Sequence, residues 1–316
     1  MSAQVQRVQL AGHAAVRLVS PSGELEATFL PGVGMLGASL RHRGEELLGL
    51  TDNVAAYAGR GSTMGIPLLH PWANRLGGMA YEAAGVQVLI PHDQPRLRRD
   101  ANGLPIHGLV WASDRWRATE TAADADAATL RSTLDLGAMP ELLAAFPFPH
   151  RLTVEARLDD QALTVAATLR ATGDVPVPVS FGWHPYLVLP GLPREAWGLE
   201  LPAMERLALD PLGLPTGAAE PFGPHAAPLA DSTWDDGFAG LPDGSALALV
   251  GGGRRIELRL LGGYSCAQVY APADRAVVAL EPMTAPTNAL ATGERLRLVE
   301  PGASLAATFA LAVAAS

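Results

Sequence analysis

Leu152-Thr-Val-Glu-Ala-Arg-Leu158 alternates apolar and polar residues without a break, with Leu152, Val154, Ala156 and Leu158 on one side and Thr153, Glu155 and Arg157 on the other. A period of two sends successive side chains to opposite faces of a sheet, so this is a half-buried strand. Asp159-Asp160 turns the chain, and Leu163, Val165, Ala167 and Leu169 resume the alternation. The pair reads as a β-hairpin with one face covered. The same pattern recurs at Leu25–Leu30, Thr129–Leu136, Arg255–Leu260, Arg275–Leu280 and Arg295–Val299. Helical patterning is scarce. Met139–Phe146, with Pro140 in its first turn, is the one short helix expected.

Turns fall between the strands at Ala101-Asn-Gly103, Asp243-Gly244 and Gly251-Gly-Gly253. Leu189–Pro193 and Pro211–Pro228 are rich in Pro and Gly and read as surface loops. Leu305–Ala315 is too short to span a bilayer, which takes about 20 apolar residues, and reads as a buried final strand. No repeat of ~20–50 residues appears. The expectation is an all-β chain, with residues 1–316 forming one domain built as a large antiparallel β-sandwich.

Composition narrows the function classes. The 316 residues carry 23 basic and 32 acidic side chains, a formal net charge of −9, which argues against a nucleic-acid partner. Every basic residue is arginine, so neither Schiff-base chemistry nor a P-loop lysine is available. Apolar residues make up 48%, enough to fill a core. Cys266 is the only cysteine, which excludes an internal disulfide and fits a reducing compartment. Met1–Leu10 lacks a basic start followed by an apolar run, so a cytoplasmic protein with no membrane association is expected. The eight histidines show no H-x-H or H-x-x-x-H spacing, and no metal is expected.

Four segments set polar, reactive side chains in apolar or turn-rich ground: Gly65–Arg75 with Asn74 and Arg75, Asn102–Leu109 with His107, Val179–Leu187 with Trp183, His184 and Tyr186, and Val277–Thr284 with Glu281. Each has a structural reading as well: a solvated loop arginine, a satisfied core histidine, packed aromatics, an exposed strand-end carboxylate. The functional reading is a sugar site. Aromatic rings cover the C–H faces of a sugar, and imidazole exchanges protons near neutrality. A carboxylate ending an apolar strand must be paired or raised in pKa.

Together these segments resemble the aldose 1-epimerase (galactose mutarotase) family. The elements that carry the resemblance are Asn74-Arg75, His107-Gly108, His184-Pro185-Tyr186, Asp235 three residues before Phe238, and Glu281-Pro282, in family order across most of the chain. No single element is specific; their order and separation are. The resemblance implies a galactose mutarotase-like supersandwich that interconverts the α and β anomers of a free hexose and needs no cofactor. In that scheme Glu281 is the base at the anomeric hydroxyl, and protonated His184 gives its proton to the ring oxygen. His107 and Arg75 bind near the ring oxygen, Asp235 accepts from hydroxyls farther round, and Asn74, Tyr186 and Trp183 complete the contacts to a monosaccharide. Acid and base flanking one carbon is what hemiacetal opening requires.

Two features depart from the family pattern. Asp235 and Asp236 are adjacent, so either could face the ligand. Gly-Trp-His-Pro-Tyr stands where typical galactose mutarotases have Asn-His-Ser/Thr-Tyr, so galactose itself is not implied. Three other functions stay open at this point. A hexose-6-phosphate mutarotase would use an arginine cluster such as Arg96, Arg98 and Arg99. A non-catalytic carbohydrate-binding sandwich would need no acid and base. A glycoside hydrolase would pair Asp235 or Asp236 with Glu281. Monomer and homodimer are equally compatible with the sequence.

Overall fold

A computed structural model describes residues 2–50 and 53–315; Met1, where the N-terminal reading begins, lies outside them. Three antiparallel sheets carry the fold. The first is a five-stranded meander over residues 4–46. The second has nine strands in the spatial order His225–Pro228, Gly198–Leu201, Ala246–Gly251, Arg254–Gly262, Ser304–Ala315, Ala162–Ala171, His150–Leu158, Ala128–Asp135, Arg117–Ala123. The third runs Pro215–Phe222, Met204–Leu209, Trp234–Ala239, Cys266–Ala271, Val278–Met283, Gly182–Trp183, Leu68–Leu69, with Tyr186–Leu187 also paired to Val278–Met283. One core joins the sheets, with Leu258, Phe309 and Leu311 of the nine-stranded sheet packed among Trp183, Val269 and Leu280 of the third. The molecule is an all-β antiparallel sandwich.

The deciding hairpin forms in the expected register. Leu152 faces Leu169, Val154 faces Ala167, Ala156 faces Val165 and Leu158 faces Leu163, and all eight side chains are buried. Asp159 closes the turn by accepting from the Gln161 and Ala162 N–H groups.

Several expectations are corrected. Pro211–Pro228 is not loop throughout: Pro215–Phe222 and His225–Pro228 are strands, each at the outer edge of its sheet. Proline has no N–H for a ladder, and an edge strand leaves one side without a partner, so these segments can be strands only there. The strand expected over Arg275–Leu280 begins at Val278, and Arg275 sits in the preceding turn. The strand expected over Arg295–Val299 is Arg297–Val299. The helix expected over Met139–Phe146 is a single turn, Pro140–Leu143. Ser304–Ala315 is a strand, but it is not buried throughout: Ala307, Phe309 and Leu311 on one face are buried, whereas on the other Ala310 is buried and Ala306 is exposed. A seven-residue helix, Val54–Arg60, was not expected; Gly61 ends it at φ 70°, its N–H donating to the Tyr57 carbonyl.

Candidate active site

The third sheet supplies one wall of a cavity of about 230 Å³ lined by Thr63, Asn74, Arg75, Ile106, His107, His184, Tyr186, Asp235, Tyr270, Arg275 and Glu281. Glu281 lies on the fully buried Val278–Met283 strand, opposite Gln268 on the neighbouring strand. Its Oε1 is 3.2 Å from His184 Nε2, and its Oε2 has no hydrogen-bond partner. Burial raises the Glu281 pKa well above the usual carboxylate value, the negative charge of Asp235 adds to the rise, and Arg75 opposes it.

His184 follows directly on Gly182–Trp183, and its N–H donates to the Pro67 carbonyl. Its ring stacks on Tyr186 at 4.2 Å between centroids and meets His107 edge-on at 5.4 Å. Burial pulls its pKa down to about 3. The two shifts run in opposite directions for one reason: burial disfavours the charged form of both the carboxyl and the imidazole that face each other across 3.2 Å. Tyr186 is fixed in turn by a 2.6 Å hydrogen bond between its hydroxyl and that of Thr63.

Two loops bring the remaining polar groups. Asn74 and His107 both have left-handed backbones, φ 54° and 63°, and the His107 N–H donates to the Asn74 carbonyl. Arg75 Nε donates to Asp100 Oδ2 at 2.8 Å, Nη1 to Asn74 Oδ1 at 3.1 Å, and Nη2 lies 4.0 Å from Asp235 Oδ2. Gln268 Nε2 donates to Asp235 Oδ1 at 2.7 Å. Asp236, one residue on in the Trp234–Ala239 strand, points to the other face and accepts from Arg206 Nε and Nη2 at 3.0 and 2.6 Å. Strand alternation thus assigns Asp235, not Asp236, to the cavity.

Seven of the eight residues singled out in the sequence line this cavity; Trp183 does not. Its side chain is fully buried between the sheets, 5.9 Å from the Phe309 ring, because it precedes His184 on an extended segment and faces the opposite way. Thr63, Asp100, Gln268, Tyr270 and Arg275 went unrecognised. Gln268 and Tyr270 carried a signal, being polar-tipped side chains two apart in the apolar strand Cys266–Ala271. Among the described residues no group of three His, Cys, Asp or Glu side chains could hold a metal ion, and no helix is long and apolar enough to cross a membrane. A larger groove over the first sheet, near Val8, Ala15 and Val33, is lined by no carboxylate and so lacks an acid/base pair.

Comparison with known proteins identifies the family and the fold. The family described as aldose 1-epimerase matches residues 36–312, which include every cavity residue named above. The chain belongs to the aldose 1-epimerase family. Among curated proteins it is 25% identical to the uncharacterised protein YihR of Escherichia coli over 251 residues, 75% of this chain and 77% of that one. Among solved structures, a galactose mutarotase-like protein from Clostridium acetobutylicum superposes with a TM-score of 0.85 at 18% identity, over 100% of this chain and 99% of the other. The galactose 1-epimerase of Lactobacillus acidophilus superposes at 0.76 with 14% identity, over 99% of both. At these identities the structural likeness speaks for the epimerase fold.

Proposed function

We propose that this aldose 1-epimerase family member is an active mutarotase that opens and recloses the ring of a free aldose. The observation that carries the reading is the 3.2 Å contact between Glu281 and His184 within a small cavity walled, apart from Ile106, by side chains that can hydrogen-bond. At about 230 Å³ that cavity falls below the ~300–1,000 Å³ of pockets for drug-sized ligands, which suits one sugar ring.

The chemistry needs one transferable proton and two sites for it. The anomeric hydroxyl and the ring oxygen share one carbon, so their base and acid must be neighbours. In the resting pair the proton sits on Glu281, and passing it along the contact to His184 gives a carboxylate and an imidazolium. Glu281 then takes the proton from the anomeric hydroxyl as the C1–O5 bond breaks, while His184 delivers its proton to O5. Rotation about C1–C2 presents the other face of the aldehyde, and reversal of both transfers closes the ring as the opposite anomer. No net proton is consumed. His107 and Arg75 orient the ring oxygen side, Asp235 accepts from distal hydroxyls, and Tyr186 holds the His184 ring flat.

One observation favours a second reading, an aldose bearing phosphate. Arg98 is half-buried beside the site, its carbonyl accepting from the Ile106 N–H, and its guanidinium has no hydrogen bond or ion pair among the described residues. Arg96 and Arg99 are already engaged by backbone: Arg96 donates to the Trp111 carbonyl and Arg99 to the Gly103 carbonyl. Polarimetry on freshly dissolved α-anomers of free and phosphorylated aldoses decides both questions. Faster equilibration of free hexoses supports the first reading, and a strong preference for glucose 6-phosphate supports the second. Saturable sugar binding without any acceleration leaves a binding protein and refutes catalysis. The compartment we propose for this activity is the cytoplasm, which the lone, buried, unpaired cysteine fits.

A further inference from the structure

Behind the cavity, in the core, two histidines meet that the chemistry above does not use. His70 is 1% exposed and His150 is fully buried, and their Nε2 atoms are 2.7 Å apart. His150 Nδ1 lies 2.6 Å from the Phe148 carbonyl, which can only accept, so that nitrogen carries a proton. With His150 neutral, its Nε2 is bare and must accept from the Nε2–H of His70. His70 Nδ1 is then bare too, and it has no partner. Phe146 and Phe181 pack around the pair, with ring centroids 5.7 to 6.4 Å away.

Such a pair is an uneconomical way to fill a core. Two apolar side chains would occupy the space without leaving a buried nitrogen unsatisfied. What the imidazoles add is direction, and the backbone shows what is being directed. The His70 carbonyl accepts from the N–H groups of Leu109 and Val110, at 2.7 and 3.2 Å. The His107 N–H donates to the Asn74 carbonyl, and the Leu76 N–H to the Pro105 carbonyl. Residues 70–76 and 105–110 therefore clasp one another, and this clasp carries Asn74, Arg75 and His107. His150 begins the His150–Leu158 strand of the opposite sheet.

We propose that His70 and His150 are positioning residues, an imidazole pair that pins the clasp to the nine-stranded sheet and so sets where Asn74, Arg75 and His107 stand in the cavity. Glu281 hangs from the Val278–Met283 strand, outside the clasp, and His184 is held by the pairing of Gly182–Trp183 with Leu68–Leu69, just before it. The inference rests on the mutarotase reading only for its kinetic arm.

His150→Leu removes the acceptor, and His150→Gln keeps one in a side-chain carbonyl. Amide hydrogen exchange is followed at Leu76, His107 and Leu109, with Val154 and Val165 in the hairpin as reference. The expected result for His150→Leu is exchange at least about tenfold faster in the clasp with the reference amides unmoved. For whichever sugar the wild type turns over, KM rises roughly tenfold while kcat stays within about threefold. His150→Gln restores both. Should His150→Leu not fold, His150→Asn, whose shorter amide does not span to His70, takes its place. Exchange that quickens equally across the chain, or a KM unmoved by loss of the acceptor, overturns the proposal and leaves an ordinary core contact. A wild type without turnover strikes the mutarotase reading alone, since the exchange arm uses no sugar.

Discussion

At the scale of single residues, a buried carboxyl that is useful to chemistry is costly to the fold. Glu281 has a folded-state pKa above its unfolded value, so the stability it contributes is full below about 4.5 and is lost as pH rises. Replacing it by the neutral, isosteric glutamine is therefore expected to cut mutarotation by at least ~10²-fold while raising Tm by roughly 2–5 °C at neutral pH. His184→Asn is expected to lose activity to the same degree, without the gain in Tm. Polarimetry and a thermal melt on the same samples check both. An active Glu281→Gln enzyme removes the base from the mechanism; an inactive one with a lowered Tm removes the stability argument. Asp235 and Asp236 offer a matched comparison. Asp235→Asn is expected to raise KM about tenfold and to move the alkaline limb of the pH profile downward, because its charge helps hold the Glu281 pKa up. Asp236→Asn breaks only a partly exposed pair with Arg206, so its kinetics are expected to match wild type and its stability to fall by no more than about 1 kcal/mol.

At the scale of elements, the two loops that carry Asn74, Arg75 and His107 close on each other at Gly108. Its φ is +69°, and a Cβ there would sit 2.1 Å from the His70 carbonyl oxygen. Gly108→Ala is expected to cost more than about 2 kcal/mol in urea unfolding and to raise KM, since the clasp cannot close around a methyl group. Unchanged stability would mean that the loops part more easily than their hydrogen bonds suggest. Elements also decide what could be read from the chain. Strands with one covered face write their period into the sequence, which is why the Leu152–Leu169 hairpin was legible to the residue. The same rule, applied to Trp183 and His184 as neighbours on an extended segment, forbids both from facing one sugar; treating the aromatics as a cluster overlooked it. Gln268 stands out as a polar residue inside an apolar strand, but what it does follows only from its neighbour across the ladder, Glu281. The Val54–Arg60 helix, seven residues with two buried side chains, is too short to write a period of 3.6. The Pro-rich edge strands carried the composition of loops, and only their position in the sheets explains them.

At the scale of the whole molecule, five histidines sit buried and neutral: His42, His70, His107, His150 and His184, each with its pKa lowered first of all by burial, His150 to about 4 and His184 to about 3. In the unfolded chain they titrate near 6.5. Between that value and their folded values the unfolded state binds more protons, so stability is full above about 6.5 and falls as pH drops toward 4. Each histidine adds a slope of up to about 1.4 kcal/mol per pH unit in that window. Glu281 works in the opposite direction and offsets one of them, His184, which leaves His42, His70, His107 and His150 to set the net slope. The Asp100 carboxylate, held low mainly by its hydrogen bond from Arg75 against the cost of burial, loses its contribution only below about 4, so it does not contaminate the range. Urea unfolding at steps from pH 7.5 to 5 is expected to show stability flat down to about 6.5 and then declining by more than about 1 kcal/mol per unit. A curve that stays level to pH 5 would mean that these imidazoles are hydrated or paired with charge in solution, and with that the neutral tautomers assigned to the His70–His150 contact would have to be abandoned.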